Sequence, residues 1–392
     1  MPYYRRVGEV PPKRHTRFER PGGGLHAEEL MGQEGFSSAS ALLYHRHLPT
    51  TILAAESADE PDPKLEANQP LLPHHLRTTD LPAGGDLVRH RHVLLANDAV
   101  VLATVAPTDD SPLYRNATGD EVVYLRSGRA RLESTFGVLD CEAGDYVVIP
   151  CSTTHRWLPL DGDAVHALVI AARGHIGPPA RYLSSTGQFL EHSPYCERDL
   201  HGPGDPLVVD ADGAADVLVR TRVGVTRYTY AHNPFDVVGW DGCVWPYRFS
   251  IHDFEPITGR LHQPPPVHQT FAGPGFVVCS FVPRKLDYHP RSIPAPYNHA
   301  NVDSDEVLYY CEGNFTSRRG AGIGPGSISL HPAGFVHGPQ PGSVEASIGI
   351  EATDELAVMI DTFSPLLLGE EASACDDADY PWSWARGEGD ET

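Results

Sequence analysis

The sequence predicts an all-β fold that contains two related barrels. Its 392 residues include 37 glycines and 36 prolines. These separate short runs of valine, isoleucine, leucine, phenylalanine and tyrosine, which is the pattern of strands joined by turns. Two strand-rich blocks resemble each other, which indicates an internal duplication of one β unit. A chain of this length can bury two hydrophobic cores.

The first part of the chain predicts an N-terminal domain of residues 1–245. Residues 1–85 are rich in proline and glycine, and we expect them to be irregular apart from one short helix over residues 26–33. The first barrel is predicted at about residues 88–175, where hydrophobic runs alternate with turn residues. Residues 176–235 are expected to form an irregular connecting segment.

The second barrel is predicted over residues 246–365. Its sequence repeats the first barrel at two places. DEVLYYCEGNFTSRR (305–319) resembles DEVVYLRSGRARLES (120–134), and GSISLHPAGFVH (326–337) resembles GDYVVIPCSTTH (144–155). Because both pairs keep their order along the chain, the two blocks are expected to fold into the same kind of barrel.

The composition argues against several functional classes. The formal net charge is −22, and a surface this acidic repels phosphate backbones, so no nucleic-acid partner is expected. The seven cysteines are scattered without a C-x-x-C spacing, which predicts neither a disulfide framework nor a zinc ribbon. No apolar stretch reaches membrane-spanning length, so we expect no membrane partner and a cytoplasmic location. Residues 366–392 are acidic and predict a solvated tail.

A metal-binding pattern lies in the second barrel. His299 precedes a predicted strand, Glu306 begins it, and His337 ends the companion strand. Strands that run side by side bring such residues together at the mouth of a barrel, provided that the chain turns sharply before the last histidine. The glycine and proline positions that such turns require are all present: Gly313, Gly326, Pro332 and Gly334.

The ligand types narrow the choice of metal. Two histidines and one carboxylate, with open positions left for substrate and dioxygen, suit non-haem Fe(II), although Mn(II) and Zn(II) stay open. The first barrel keeps Glu121 and His155, but residues 114–117 (Tyr-Arg-Asn-Ala) stand where the first histidine should be. This barrel is therefore predicted to be a metal-free scaffold, which leaves one metal per chain.

These motifs resemble the cupin superfamily of double-stranded β-helix, or jelly-roll, barrels. With two barrels, the chain resembles a bicupin, and it is similar in particular to the homogentisate 1,2-dioxygenase family. Six segments carry this likeness in the same order: LHAEELMG (25–32), LLYHRHLP (42–49), NPFDVVGWDGCVWPYRF (233–249), FVPR (281–284), APYNHANVDSDE (295–306) and SLHPAGFVHGP (329–339). The likeness covers nearly the whole chain.

The resemblance implies an Fe(II)-dependent enzyme that opens the ring of homogentisate to give maleylacetoacetate, with the aromatic substrate and O2 as partners. It implies the iron ligands that the spacing had indicated and a homo-oligomer, either a trimer or a hexamer. His262 matches the family's proton acceptor, with His268 as a competitor. His331 matches a second active-site histidine, which either contacts substrate or orients a metal ligand.

One departure from the family leaves the substrate open. Phe315 replaces a tyrosine that holds the substrate carboxylate in the family, and a phenyl ring cannot donate that hydrogen bond. Either an arginine takes over the carboxylate, or the substrate is a related gentisate-like hydroquinone or an aminophenol. A metal-binding isomerase or a non-catalytic binding protein is the remaining alternative. The candidate arginines are Arg284, Arg318 and Arg319, and the candidate substrate-binding residues are His331, Phe315, Tyr297, Asn301 and Arg318.

Overall fold

The computed structural model describes residues 3–58, 62–210, 213–318 and 321–385. Strands dominate this part of the chain. The first fourteen are β1 (Arg5–Gly8), β2 (Ala27–Gly32), β3 (Ser40–His45), β4 (Ile52–Ala58), β5 (Leu65–Ala67), β6 (His74–Arg77), β7 (His92–Ala96), β8 (Val100–Val105), β9 (Leu113–Asn116), β10 (Glu121–Ser127), β11 (Arg129–Ser134), β12 (Gly137–Glu142), β13 (Asp145–Ile149) and β14 (His155–Pro159).

Thirteen more strands follow, with two short α-helices among them. The strands are β15 (His166–Ala172), β16 (Ala215–Thr221), β17 (Gly224–Tyr230), β18 (Val237–Gly242), β19 (Tyr247–Ser250), β20 (Gln269–Gly273), β21 (Phe276–Phe281), β22 (Arg284–Lys285), β23 (Asp305–Glu312), β24 (Ser327–His331), β25 (Ala352–Thr353), β26 (Leu356–Thr362) and β27 (Leu367–Gly369). The helices are α1 (Ser343–Ser347) and α2 (Glu370–Cys375). The all-β prediction is confirmed. Among the described residues, no helix is long and apolar enough to cross a membrane.

The chain forms two compact units. Unit 1 comprises Met1–Asp62, Ala83–Arg91 and Val105–Ser250, and unit 2 comprises Pro63–Pro82, His92–Thr104 and Ile251–Thr392. This grouping differs from a division at residue 245, because two early segments pair with late strands. Strand β6 pairs with β24, and β27 pairs with both β5 and β7.

In unit 1, strand β10 lies between β13 and β15, and all pairings are antiparallel. The register places Glu121, the first residue of β10, opposite Ile149 on one side and Ala171 on the other. Large aromatic side chains fill the interior of the unit, among them the fully buried Trp157 and Trp240. Burial of such rings away from water stabilises the unit.

In unit 2, six antiparallel strands run in the order β20-β21-β26-β23-β24-β6. Strand β23 occupies the position that β10 has in unit 1. Its second residue, Glu306, faces His331 on β24 and Asp361 on β26. The two units therefore repeat the same arrangement around a glutamate, as the repeated sequence blocks predict.

Two local predictions are wrong. Residues 26–33 do not form a helix, because β2 pairs along its whole length with β3. The tail is not a solvated extension over residues 366–385, because Leu366, Ala372 and Tyr380 are buried. These side chains pack in the interior because they are apolar or aromatic, although the segment around them is acidic. Residues 386–392 lie outside the described residues.

Candidate metal centre

The two predicted histidine ligands are held together by the main chain. His299 and His337 form an antiparallel β-bridge, in which each backbone N–H donates to the other residue's carbonyl at 2.7 and 2.8 Å. Their rings lie 4.3 Å apart between centroids. The chain reaches this position through Gly334, whose φ of +77° favours glycine, and whose N–H donates to Asn301 O at 2.7 Å.

Glu306 brings the third ligand to the same point. Its Oε1 lies 3.2 Å from His337 Nε2, and its Oε2 lies 3.6 Å from His299 Nε2. Ligand atoms that bind one ion at about 2.0–2.2 Å lie about 3.0–3.6 Å from one another. Among the residues that the structure describes, His299, Glu306 and His337 are the one set of three such side chains with donor atoms within 4.8 Å.

The hydrogen bonds around these ligands suit a divalent metal. His337 Nδ1 donates to Phe335 O at 3.0 Å, which leaves the lone pair of Nε2 directed at the cluster. Burial would raise the pKa of Glu306, but the close contacts with the rings of His299, His331 and His337 outweigh burial and hold this pKa well below its usual value. The ionised carboxylate and two imidazoles form a donor set that fits Fe(II) and related ions.

His331 orients Glu306 from the side of β24. Its Nδ1 donates to Glu306 Oε1 at 3.0 Å, and its Nε2 accepts the Tyr380 hydroxyl at 2.9 Å. The ring is fully buried and stacks on His337 at 4.1 Å. Burial and the charge of Arg318 lower the pKa of His331 to about 3, so the ring is neutral. Because both ring nitrogens are engaged, this geometry favours orientation of a ligand over contact with substrate.

The C-terminal segment holds the other side of the same corner. We call residues 376–385 the C-terminal clamp. Trp384 Nε1 donates to the carbonyl of Gly338 at 3.1 Å, and Arg318 Nη1 donates to the same oxygen at 2.5 Å. Asp376 anchors the clamp on β6 through His74, at 2.7 Å. The clamp therefore holds Gly338, the residue that follows His337, and Arg318 stabilises the same turn through its hydrogen bond to Gly338.

A group of three side chains, His262, Asp287 and Tyr297, lies beside the centre and is called the His262 cluster. His262 Nδ1 is 3.3 Å from Asp287 Oδ2, and His262 Nε2 is 3.2 Å from the Tyr297 hydroxyl. The Tyr297 ring stands edge-on to His299, with 5.8 Å between centroids. The structure therefore links His262 to the metal cluster through Tyr297. Asp287 was missed by the sequence reasoning, because nothing in its local pattern marks it as the partner of a histidine 25 positions earlier.

The comparisons with known proteins identify the family. The chain is 40% identical over 388 residues to a Saccharolobus solfataricus protein named "Putative dioxygenase", and the match covers 98% of this chain and 99% of that protein. The chain belongs to this dioxygenase family. It is also 27% identical over 294 residues to a homogentisate 1,2-dioxygenase of Rhodopseudomonas palustris, covering 69% of this chain and 62% of the relative. A Bradyrhizobium diazoefficiens homogentisate 1,2-dioxygenase is 28% identical over 273 residues, covering 64% and 57%.

The chain thus spans about three fifths of the length of those homogentisate 1,2-dioxygenases. The predicted similarity to the homogentisate 1,2-dioxygenase family is confirmed. No family model matches the sequence. Among solved structures, a cupin 2 conserved barrel domain protein from Leptotrichia buccalis aligns with a TM-score of 0.31 and 10% identity, covering 74% of this chain and 96% of that one.

On the face of β23 that carries Glu306, the next side chains along the strand, Leu308 and Tyr310, are buried in a hydrophobic cluster. Phe315 packs there in a buried cluster, edge-on to Tyr310 at 4.8 Å. The other buried members of the cluster are Cys279, Leu308 and Met359.

The remaining sequence candidates lie at the border of this cluster or beyond the described residues. His268 stacks on Phe281 at 4.6 Å, and burial together with the charge of Arg284 lowers the pKa of His268 to about 3. Arg284 Nη2 lies 4.0 Å from Glu355 Oε2. Arg319 lies outside the described residues.

Asn301 takes part in the centre through its amide. Its Nδ2 lies 3.4 Å from Glu306 Oε2 and 3.4 Å from Asp361 Oδ1, so it stands between two carboxylates. Burial and the charge of Glu306 raise the pKa of Asp361 to about 7. The sequence reasoning missed Asp361, because it is a single acidic residue 55 positions after Glu306, on a strand whose register only the fold reveals.

In unit 1 the corresponding glutamate, Glu121, forms an ion pair with an arginine. Arg91 Nη1 and Nη2 donate to the two oxygens of Glu121 at 2.8 and 3.1 Å, and Asn116 Nδ2 donates at 2.9 Å. Burial opposes ionisation, but Arg91 dominates and lowers the pKa of Glu121 to about 2. His155 Nδ1 donates to Thr153 O at 3.0 Å. A positive charge of the chain itself thus balances the glutamate of this barrel, and no sequence motif marked Arg91.

Proposed function

We propose that this protein is an Fe(II)-dependent dioxygenase that opens a hydroquinone-type ring, with homogentisate as the first candidate substrate and maleylacetoacetate as its product. The observation that carries the proposal is the convergence of His299, Glu306 and His337 within 4.8 Å. Membership of the dioxygenase family supports it. We further propose a cytoplasmic homo-oligomer, a trimer or a hexamer, on the family resemblance alone.

In this proposal, His299, Glu306 and His337 bind the metal. When bound there, Fe(II) supplies Lewis acidity toward an oxygen ligand and redox chemistry toward dioxygen. His331 keeps the Glu306 carboxylate in place through its 3.0 Å hydrogen bond, and Tyr380 holds His331 in turn. These supports fix the ligand geometry before substrate binds, which lowers the cost of reorganisation during the reaction.

His262 is proposed to accept the proton of a substrate hydroxyl. A phenol has an ordinary pKa of about 10, so its ionisation at neutral pH requires a base. The Tyr297 hydroxyl donates to His262 Nε2 and can relay the proton, while the Asp287 carboxylate, 3.3 Å from Nδ1, stabilises the imidazolium that forms. The substrate O–H bond breaks, and a new N–H bond forms at Nε2.

Oxygen consumption by the Fe(II)-loaded protein tests this proposal. We expect uptake of one O2 per homogentisate in an oxygen electrode under ascorbate, with a ring-opened product. Glu306→Ala should lose both bound iron and turnover. Glu312→Ala, which removes an exposed carboxylate from the same strand, is the matched control and should keep both. If no dihydroxyarene supports oxygen uptake by the wild type, the proposal fails.

A related hydroquinone is the second candidate substrate, and Phe315 favours it. The ring packs among Tyr310, Leu308 and Met359, and no phenolic hydroxyl at position 315 is available to hold a carboxylate. An aminophenol or unsubstituted hydroquinone, which has no carboxylate, would therefore lose less on binding than homogentisate, and a gentisate-like compound would carry its carboxylate directly on the ring instead of on a methylene arm. Comparison of kcat/KM for homogentisate, gentisate and hydroquinone separates the two candidates. A clear preference for homogentisate would eliminate the second.

A further inference from the structure

The two units differ at the positions that flank the conserved glutamate. In unit 1, Glu121 faces Ile149 and Ala171, which cannot exchange hydrogen bonds with substrate. In unit 2 the equivalent cross-strand partners of Glu306 are His331 and Asp361. Side chains of directly opposed residues on neighbouring strands point to the same face. The polar pair is therefore specific to the barrel that carries the three-ligand cluster.

The two flanking residues lie on different sides of the centre. On the Oε1 side of Glu306, the side chains of His331 and His337 are 0% exposed, and Tyr380 closes the hydrogen bonding of His331. On the Oε2 side, the side chain of His299 is 38% exposed. Asp361 lies on this second side, because Asn301 contacts both Glu306 Oε2 and Asp361 Oδ1. The centre is thus more exposed on the side of His299 and Asp361 than on the side of His331.

Asp361 has no cationic partner in the part of the chain that the structure describes. Its polar contact there is the amide of Asn301, whose Nδ2 lies 3.4 Å from Asp361 Oδ1. A half-buried carboxylate without a counter-ion costs free energy unless another group donates to it. The oxygen lone pairs of a carboxyl group accept hydrogen bonds, so a suitable ligand group carries an O–H or N–H.

We infer that Asp361 is a substrate-binding residue that accepts a hydrogen bond from a ring hydroxyl on the more exposed side of the metal centre, with Asn301 holding its carboxylate in place. This inference rests on the proposed function and deepens it. It assigns the ligand class of this subsite as a protonated hydroxyl of an arene. A substrate carboxylate has no hydrogen atom to donate there, so the side chain of an acidic substrate points away from Asp361.

The test measures ligand binding and metal binding separately. The wild type, Asp361→Asn and Asp361→Leu are loaded with Fe(II) without oxygen and titrated calorimetrically with hydroquinone and with 1,4-dimethoxybenzene, which has the same ring but no hydroxyl. We expect both variants to bind hydroquinone about 10-fold to 100-fold more weakly, as for loss of a hydrogen bond to a charged group. Their affinity for dimethoxybenzene should match that of the wild type. Asp354→Asn makes the same change at an exposed site of unit 2 and is the control.

Metal affinity decides between a substrate contact and a ligand role. Asp361→Asn should bind Fe(II) within about threefold of the wild type. A metal affinity that falls as far as in Glu306→Ala would overturn the inference, and so would unchanged hydroquinone affinity in both variants. Failure of the proposed function has a different signature. Wild-type protein that consumes no oxygen but still binds hydroquinone through Asp361 would refute the dioxygenase proposal and support this subsite.

Discussion

Replacing Tyr380 by phenylalanine tests how far the C-terminal clamp controls the metal centre. The substitution removes one oxygen atom, which donates to His331 Nε2 at 2.9 Å. His331 is fully buried and donates its other ring N–H to Glu306 Oε1 at 3.0 Å. Without the tyrosine hydroxyl, Nε2 has no donor in a site from which water is excluded. The imidazole is then free to rotate or to change tautomer, and it no longer fixes Glu306.

The expected magnitude follows from two independent considerations. A buried polar atom that loses its partner costs about 1–3 kcal/mol. Loss of a group that orients a metal ligand typically lowers metal affinity about 10-fold to 100-fold, which corresponds to about 1.4–2.7 kcal/mol. The two ranges agree, so Tyr380→Phe should raise the dissociation constant for Fe(II) or Co(II) by one to two orders of magnitude.

Competition with a chromophoric chelator measures this change directly. The absorption spectrum of the Co(II)-loaded variant reports whether ligand geometry has altered, which a general loss of stability would not produce. Tyr230→Phe is the matched control, because its hydroxyl also takes part in a hydrogen bond, from Arg115 at 3.3 Å in unit 1. If Tyr380→Phe bound metal within twofold of the wild type, with an unchanged spectrum, the orienting role of the clamp would be refuted.

Three further predictions concern unit 1 and the His262 cluster. Arg91→Met leaves the Glu121 carboxylate buried without a cation, and it should lower the free energy of unfolding by about 3–5 kcal/mol in urea titrations; a loss below about 1 kcal/mol would contradict the pairing. Because the folded pKa of Glu121 is lowered to about 2 from an ordinary 4.5, its stabilising contribution is complete above pH 4.5 and disappears as the pH falls toward 2. Acid unfolding followed by circular dichroism should show this dependence in the wild type, and Arg91→Met should lack it. Asp287→Asn removes the carboxylate charge beside His262 Nδ1 and should reduce kcat by about 100-fold or more at unchanged metal affinity; full activity would refute the supporting role of Asp287.

The metal ligands could be predicted from the sequence because the motif is local in the chain. Glu306 lies on β23, and the proposed ligands His299 and His337 form a β-bridge close before and after β23 and β24, so their spacing encodes their meeting point. The all-β class was predictable for the same reason, since glycine and proline positions mark the ends of short strands. The internal repeat added a comparison within one chain, which indicated that only one copy has the three ligands.

The supporting residues could not be predicted, because their contacts join distant parts of the chain. Tyr380 meets His331 across 49 positions, and Arg91 meets Glu121 across 30. The sequence predicts a helix over residues 26–33, since AEELM consists of residues with high helical propensity. In the fold, ladder hydrogen bonds to β3 decide their conformation instead. Pairing between strands thus overrides local preference, and a single sequence does not reveal such pairing.

The guanidinium of Arg91 has a consequence for how the two barrels respond to their surroundings. One barrel has its positive charge covalently built into the polypeptide, whereas the proposed iron site of the other depends on an ion taken up from solution. Chelators and iron starvation act on the second and leave the first unaffected. Iron depletion should therefore yield protein whose N-terminal half stays intact, ready to regain activity when iron returns.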